Sequence, residues 1–272
     1  MNPATLQVAR PAPFATTDAD SAHGSGAGSP LNGAEPASTA VPNLGGEEVD
    51  PQEVSARVEP MNAAETIEFA LSELGTANVL FAVSFQKTSS VIVDLAHRID
   101  PAARFFYLDT DLLFDETYAT RDALAARYGI EFERNHGLSL AEQTERHGAN
   151  LWRRDPDACC GIRKVEPMRQ ALQGASGWVA GIRREESRSR AGAAKFGWDR
   201  RFGLWKLNPL ADWTDAMVWD HIRTNEVPYN PLHEQGYPSI GCTHCTVKPA
   251  PGEDSRSGRW LGADKTECGI NG

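Results

Sequence analysis

The chain has 272 residues, a formal charge of −10 at pH 7 and five cysteines. Eight acidic residues against Arg10 and Arg57 place −6 of that charge in residues 1–60 and leave −4 for the rest, a mildly acidic body that speaks against a nucleic-acid partner. No run of 18 apolar residues occurs, so no membrane helix is expected, and the acidic start has neither the apolar core of a secretory signal nor the basic character of a transit peptide.

Residues 1–60 are rich in Ala, Pro, Gly, Ser and Thr and show no apolar periodicity. They are expected to form a disordered, low-complexity acidic tail, because so little apolar surface cannot offset the entropy of ordering. The remaining ~210 residues suit one α/β domain. Asn62-Ala-Ala-Glu65 has the form of a capping box, and Ile67, Ala70, Leu71 and Leu74 then fall on one helix face until Gly75. Asn78-Val-Leu-Phe-Ala-Val83 reads as a strand buried on both faces. Ser84 to Ser90 follows as a loop, and Ile92, Leu95, Ala96 and Ile99 mark a helix. Arg104 to Asp109 reads as strand, Asp115 to Tyr128 as helix, Glu131 to Arg134 as a short strand and Leu138 to His147 as a weak helix. Cys160 to Leu172 has helical spacing, Gly177 to Gly181 is the next strand, and Thr214 caps a last helix with Val218, Trp219 and Ile222. After Pro228 the chain turns irregular. Strands alternating with helices predict a mostly parallel sheet covered on both faces.

Ligands of such a sheet bind beyond the carboxyl ends of its strands. Three segments would lie there. Ser84-Phe-Gln-Lys-Thr-Ser offers amides, hydroxyls and Lys87 to an anion, although a solvated cap explains it equally and the loop has no glycine. Leu108-Asp-Thr-Asp111 reads as a capping turn or a nucleotide contact. Gly181-Ile-Arg-Arg-Glu-Glu-Ser-Arg-Ser-Arg190 is rich in arginine, whose fork suits phosphate and sulfate; Arg256 and Arg259 form a second basic patch near the last cysteine. Together they suggest a small, highly anionic substrate.

The cysteines are the strongest signal. In a reducing compartment, clustered cysteines bind metal or react rather than form disulfides. Cys242-Thr-His-Cys245 brings two thiols together for zinc, redox chemistry or a cluster. Cys159 and Cys160 are adjacent; both reach one centre only with strain or at a helix end, and two buried apolar cysteines are the alternative, but four cysteines in two pairs favour a joint metal site. His244 inside the pair reads as outward-facing. Cys268, near the chain end, stands apart from both pairs.

Cys159-Cys160-Gly-Ile-Arg-Lys-Val-Glu-Pro, Leu108-Asp-Thr with Leu113-Phe-Asp-Glu-Thr-Tyr118, Gly181-Ile-Arg-Arg-Glu-Glu-Ser, Gly241-Cys-x-x-Cys, Arg256-Ser-Gly-Arg-Trp260 and Lys265-Thr-Glu-Cys-Gly269 together resemble the assimilatory adenylyl-sulfate (APS) reductases, the iron–sulfur form of the PAPS/APS reductase family. The resemblance spans about residues 61–272. It implies an adenine nucleotide alpha-hydrolase-like (PP-loop-like) fold, with residues 61–252 as a nucleotide-binding domain carrying an iron–sulfur site and 253–272 as a mobile segment carrying the nucleophile. It implies that Cys159, Cys160, Cys242 and Cys245 hold a [4Fe-4S] cluster, that Cys268 is the nucleophile, and that Lys164 lies between cluster and sulfate. Arg190, Arg256 and Arg259 match arginines that contact the phosphosulfate; Ser84 and Leu108 fall in nucleotide-contacting segments. The chain departs from the family where the loop at Ser84 lacks the usual glycine or acidic residues, and where the usual Cys-Gly-Leu-His ending reads Cys268-Gly-Ile-Asn271.

The implied reaction is thiol-dependent reduction of APS to sulfite and AMP in sulfate assimilation. Thiolate attack on the sulfate sulfur displaces AMP and leaves an S-sulfocysteine on Cys268; thioredoxin or glutaredoxin then releases sulfite. An unperturbed cysteine of pKa about 8.5 is only ~3% thiolate at pH 7, and Lys265, Arg256 and Arg259 are placed to raise that fraction. A cytoplasmic enzyme is expected, with APS and a thiol protein as partners, no nucleic acid and no membrane; a homo-oligomer is left open. Three rivals stand beside it: PAPS reduction by the same chemistry, a non-catalytic metal- or cluster-binding protein, and an ATP-cleaving enzyme of the same fold, whose Ser-Gly-Gly-x-Asp-Ser loop this chain lacks.

Overall fold

The computed structural model of the chain describes residues 40–271; the part of the expected tail in residues 1–39 lies outside the described residues. Regular structure begins before residue 61. An antiparallel ribbon of β1 (Asn43–Leu44) and β2 (Glu47–Glu48) leads into helix α1 (Pro51–Val58). Asp50 caps that helix by accepting from the Gln52 amide, and Pro51 takes the first turn, where a missing N–H leaves nothing unpaired. Leu44, Val54 and Val58 are buried in the main core. The Trp205 indole donates to the Asn43 carbonyl at 2.7 Å, and Arg184 holds Glu59 at 2.7 and 2.9 Å. The expected boundary at residue 60 therefore moves toward the N-terminus. So few apolar side chains give no periodic signal, and the residues that bury them are distant in sequence.

The chain then lays down β3 (Val79–Ala82), β4 (Arg104–Asp109), β5 (Phe132–His136), β6 (Gly177–Val179), β7 (Phe196–Asp199) and β8 (Leu204–Leu207), which join one sheet in the order β5-β4-β3-β6-β8-β7. Every neighbouring pair is parallel except β7 with β8. The hairpin of β7 and β8 was not anticipated from the sequence. Strand order reverses at β3, with β4 and β5 on one side and β6 on the other. A crevice therefore opens past the carboxyl ends of β3 and β6, where sheets of this kind bind ligands.

The remaining helices are α2 (Ala63–Leu74), α3 (Lys87–Ile99), α4 (Asp115–Tyr128), α5 (Leu140–His147), α6 (Leu151–Arg154), α7 (Pro156–Cys160), α8 (Glu166–Ala171) and α9 (Asp215–Asn225). α2 carries the predicted capping box between Asn62 and Glu65, buries Ile67, Ala70, Leu71 and Leu74, and ends at Gly75. Alternate strand residues face opposite sides of the sheet. Val79, Phe81, Phe105 and Tyr107 pack with apolar residues of α2, α3, α4 and α9. Leu80, Phe106 and Trp178 pack on the other side with Met168 and Leu172, and with Phe202 and Ile270 at its margin. The penultimate stretch of the chain is thus part of that second layer. The helix expected over Cys160–Leu172 forms, but it is not α-helical throughout. α7 ends at Cys160, a wider π turn covers Gly161–Val165, and α8 resumes around Pro167, whose ring cannot donate to a continuous ladder. Among the described residues, no helix is long and apolar enough to cross a membrane.

Candidate active site

The crevice at the strand ends is a cavity of about 470 Å³. Ser84, Leu108, Lys164, Arg190, Cys242, Arg256, Arg259 and Cys268, all singled out from the sequence, line it. Cys159, Cys160 and Cys245 line a smaller neighbouring cavity, and Lys164 and Cys242 border both. Six segments far apart in sequence therefore meet at one end of the sheet.

The loop after β3 is held by the irregular segment that follows α9. The Ile240 amide donates to Gln86 Oε1 at 2.8 Å, and the Lys87 amide donates to His233 Nε2 at 3.1 Å. Since Nε2 accepts, the ring proton sits on Nδ1 and is donated to the Tyr237 carbonyl at 2.8 Å. Burial, then the nearby Lys87 charge, pushes the His233 pKa down to about 4, so the ring is neutral at pH 7. The Lys87 ammonium does not stand free for an anion: it pairs with Asp215 at 2.6 Å and lies 5.0 Å over the Trp219 ring. At the end of β4, Leu108 and Thr110 line the cavity, while the two aspartates between and beyond them are taken by structural partners. Asp109 accepts from Tyr118 and Arg134, both at 2.7 Å; Asp111 meets Arg134 at 3.3 Å and His136 at 2.8 Å.

Around the smaller cavity the charges are arranged for an anion. Burial pushes the thiols of Cys159 and Cys160 up, and that of Cys245 up to about 11. Cys242 is lowered: burial opposes ionisation, but Lys164, a Thr110 hydroxyl at 3.3 Å and Arg259 outweigh it. For Lys164 burial disfavours the charge, yet attraction to the sulfurs of Cys242 first, then Cys160 and Cys268, raises its pKa above the ordinary lysine range. Arg163 lines the same cavity and is 2% exposed. Its Nη1 donates to the Thr110 carbonyl at 2.7 Å, while Nε and Nη2 are buried without a hydrogen-bond partner. Its charge is met by Asp111, 3.6 Å from Nη1, while the two unused donors fit an acceptor-rich occupant. Among the described residues, no three His, Cys, Asp or Glu side chains converge as ligands of a single ion. The four thiols border a shared space instead. His244 lies outside it, exposed and 4.9 Å from the Trp152 ring.

The arginines line the larger cavity. Arg259 is buried, donates from Nη1 to Ser239 Oγ at 3.0 Å and lies 4.6 Å over the Trp260 ring. It packs directly on Gly241, where a Cβ would stand 2.1 Å from Nη2; this close approach requires glycine ahead of Cys242. Arg190 grips both carboxylate oxygens of Glu267, at 2.8 and 2.9 Å, and Arg256 adds a third contact at 3.0 Å. Burial opposes the charge of Arg190, but Glu267 and Glu186 raise its pKa overall; burial and the charge of Arg190 push Arg256 down to about 10. Glu267 is held below the ordinary carboxylate range because Arg190 and Arg256 outweigh its burial. Cys268 follows directly and is half-buried. Beyond it, Arg201 donates to the carbonyls of Gly269 and Ile270, and Lys206 donates to Asn271 Oδ1 at 2.9 Å. Asn271, at the position where the family resemblance leads one to expect histidine, thus has a partner of its own. Lys265 pairs with Asp157, so its ammonium is not directed at Cys268 alone.

Arg163, Arg201, Lys206, Glu267 and Trp260 were missed as site residues. Glu267 was visible in the sequence as the neighbour of Cys268, but only the fold shows that it faces two arginines. The π turn and hairpin that carry Arg163, Arg201 and Lys206 had no sequence signal that named them as part of the site.

Residues 78–248 match the family described as phosphoadenosine phosphosulfate reductase domain. An adenosine 5′-phosphosulfate reductase of Rhodococcus erythropolis is 47% identical over 192 residues, which is 70% of this chain and 78% of that protein. One from Salinibacter ruber is 42% identical over 221 residues, covering 80% of this chain and 87% of the relative. Among solved structures, the phosphoadenylyl-sulfate (PAPS) reductase of Candida auris in its phosphate complex superposes with a TM-score of 0.64 at 28% identity, over 74% of this chain and 100% of that one. The Candida glabrata FMN adenylyltransferase in complex with ATP gives a TM-score of 0.51 at 15% identity, over 74% of this chain and 66% of that one, a likeness of fold alone.

Proposed function

The chain belongs to the phosphoadenosine phosphosulfate reductase family, and we propose that it is an adenylyl-sulfate reductase of sulfate assimilation, an oxidoreductase that turns APS into sulfite and AMP through an S-sulfonated Cys268. The observation that carries this reading is the single cavity shared by Cys268, Lys164, Arg190, Arg256 and Arg259 with the strand-end residues Ser84 and Leu108. A nucleotide seated at Ser84 and Leu108 would point its phosphosulfate at the basic wall. The APS reductases quoted above, at 42 and 47% identity, support APS over PAPS.

The chemistry follows from charge. Substrate and thiolate are both anions, so cations must offset their repulsion where they meet. Arg190, Arg256 and Arg259 would hold the phosphosulfate oxygens with planar forks, and Lys164 would stabilise the charge that gathers as the sulfur is attacked. The Cys268 sulfur forms a bond to the sulfate sulfur, the S–O bond to the phosphate breaks, and AMP leaves with that electron pair. A thiolate of a thioredoxin- or glutaredoxin-type protein then attacks Cys268 Sγ, expelling sulfite and forming a mixed disulfide. Its second thiol resolves that disulfide, so both electrons come from the dithiol. A reducing compartment is required, which supports a cytoplasmic setting.

Cys159, Cys160, Cys242 and Cys245 would hold a [4Fe-4S] cluster. Four thiols bordering one space, two adjoining cations and the unused donors of Arg163 suit it. When bound, it would supply fixed negative charge next to Lys164 and would serve as a structural and electrostatic element, not as the source of the two electrons. Anaerobically purified enzyme, assayed with a dithiol protein, is expected to consume APS at least ~100-fold more efficiently than PAPS, the discrimination that results when an extra phosphate is left with its charge unpaired. Comparable efficiency on PAPS would contradict the APS reading.

A further inference from the structure

Two of the three arginines proposed to receive the phosphosulfate, Arg190 and Arg256, already hold an anion. Arg190 donates Nε–H and Nη2–H to the two oxygens of Glu267, at 2.8 and 2.9 Å, and Nη1–H to Glu186 at 2.7 Å. Arg256 donates from Nη2 to Glu267 at 3.0 Å, and from Nη2 and Nε to the Thr266 carbonyl at 2.9 and 3.2 Å. The side chains of Glu267, Arg190 and Arg256 are each 12% exposed. A planar two-oxygen anion on guanidinium forks, largely out of water, is the geometry by which arginine recognises phosphate or sulfate. The residue supplying it is the one before Cys268.

The chain on the other side of Cys268 is held differently. Arg201 takes the Gly269 and Ile270 carbonyls, Lys206 takes the Asn271 side chain, and Ile270 packs against the second core layer. None of these anchors uses Arg190 or Arg256. The first residue of this far-side set, Gly269, has φ +87°, a backbone conformation that costs glycine little and other residues more. Ahead of Cys268 the C-terminal segment is thus latched by the substrate's own arginines and held by the Lys265–Asp157 pair, and beyond it by an anchor independent of those arginines.

We propose that Glu267 is a displaceable stand-in for the substrate's anion, and that its exchange for the phosphosulfate releases Cys268 to turn about the anchored residues 269–271. This rests on the assignment of Arg190 and Arg256 to the phosphosulfate in the proposed function. Co-occupancy is disfavoured by the same charges: Arg190 directs all three of its nitrogens to carboxylates, and a second anion beside Glu267 would sit against a like charge with little water between. While the cavity holds no substrate, Glu267 keeps the two like-charged guanidiniums together and Cys268 seated at the wall. When APS arrives, the two arginines change partner, and the thiol is left on a short tether next to the sulfur it attacks. Glu267 is thus a positioning residue that competes with substrate.

The test uses the full-length protein with Cys268→Ser, which binds substrate without turning it over. APS dissociation constants are measured for Cys268→Ser and for Cys268→Ser with Glu267→Gln, a near-isosteric change that removes only the charge. Losing the internal competitor is expected to tighten APS binding about tenfold, the size of one charge-assisted contact. In parallel, trypsin cleavage after Arg256 and Lys265 without ligand is expected to be several-fold faster in the Gln variant, and APS is expected to speed it only in the protein that keeps Glu267. A purely structural glutamate would never tighten binding when removed. Unchanged or weaker APS binding by the Gln variant overturns the latch. Failure of Cys268→Ser itself to bind APS overturns the functional reading on which the latch rests, and the two failures are told apart by that first measurement.

Discussion

Lys164 sits where two charge problems meet. It borders both cavities, and attraction to the cysteine sulfurs, Cys242 foremost, favours its ammonium form against the cost of burial. In the proposed reaction it balances the cysteine cage on one side and the sulfate on the other. Lys164→Ala is expected to lower turnover about 10²–10³-fold, the usual loss for one donor aimed at developing charge, while the visible absorbance of the loaded protein stays. Turnover within a few-fold of wild type would assign the lysine a structural role instead. At this scale the sequence was informative where chemistry is written in residue type: five cysteines and three arginines were named from it, and all line one or other of the two cavities. It was uninformative where function depends on pairing. Nothing in Thr266-Glu267-Cys268 says that the glutamate faces Arg190, and nothing in Gly161-Ile-Arg163 says that the guanidinium is buried with unused donors.

Among the elements, the loop after β3 has the clearest dependence on solution conditions. Its backbone is fixed by neutral His233, which accepts from the Lys87 amide. The native ring takes up its proton only near pH 4, whereas the unfolded chain does so near pH 6.5. The unfolded state therefore binds more protons between these values, and this contribution to stability, complete above about pH 6.5, is lost as pH falls toward 4. Asp94, buried between α3, α4 and α9 with His221, Tyr128 and Arg98, acts lower on the scale: burial raises its pKa, these partners lower it further, and its contribution is lost as pH falls below the ordinary aspartate range. Urea midpoints measured from pH 7.5 to 4.5 are expected to fall less steeply in His233→Gln than in wild type, since glutamine can accept the same hydrogen bond without titrating. Equal slopes would show that His233 is not the group responsible. Most helices and the four parallel strands β3 to β6 were legible, because capping residues and apolar spacing are local signals. β7 and β8 were not: four-residue strands such as Phe196-Gly-Trp-Asp199 and Leu204-Trp-Lys-Leu207 take their form from the sheet they join. The π turn also escaped, since it lies inside a pattern that reads as one helix.

Across the whole molecule, the reversal of strand order at β3 turns scattered motifs into a site. Strands to either side carry their loops to one end of the sheet, the helix with its π turn brings Cys159 to Lys164 beneath them, and the chain end returns over the second core layer to bring Cys268 to the same cavity. No local signal predicts such convergence; the resemblance to a known family supplied it in advance, and the fold gives its physical reason. The claim on which all of this depends is that Cys268 carries the sulfonate. Anaerobically purified protein, incubated with APS and no thiol reductant, then denatured and analysed by peptide mass spectrometry, tests it most directly. The expected result is one sulfonate on the peptide containing Cys268 with an equal amount of AMP released, and neither in Cys268→Ser. A sulfonate on another cysteine, or AMP and sulfite formed by Cys268→Ser, would contradict it.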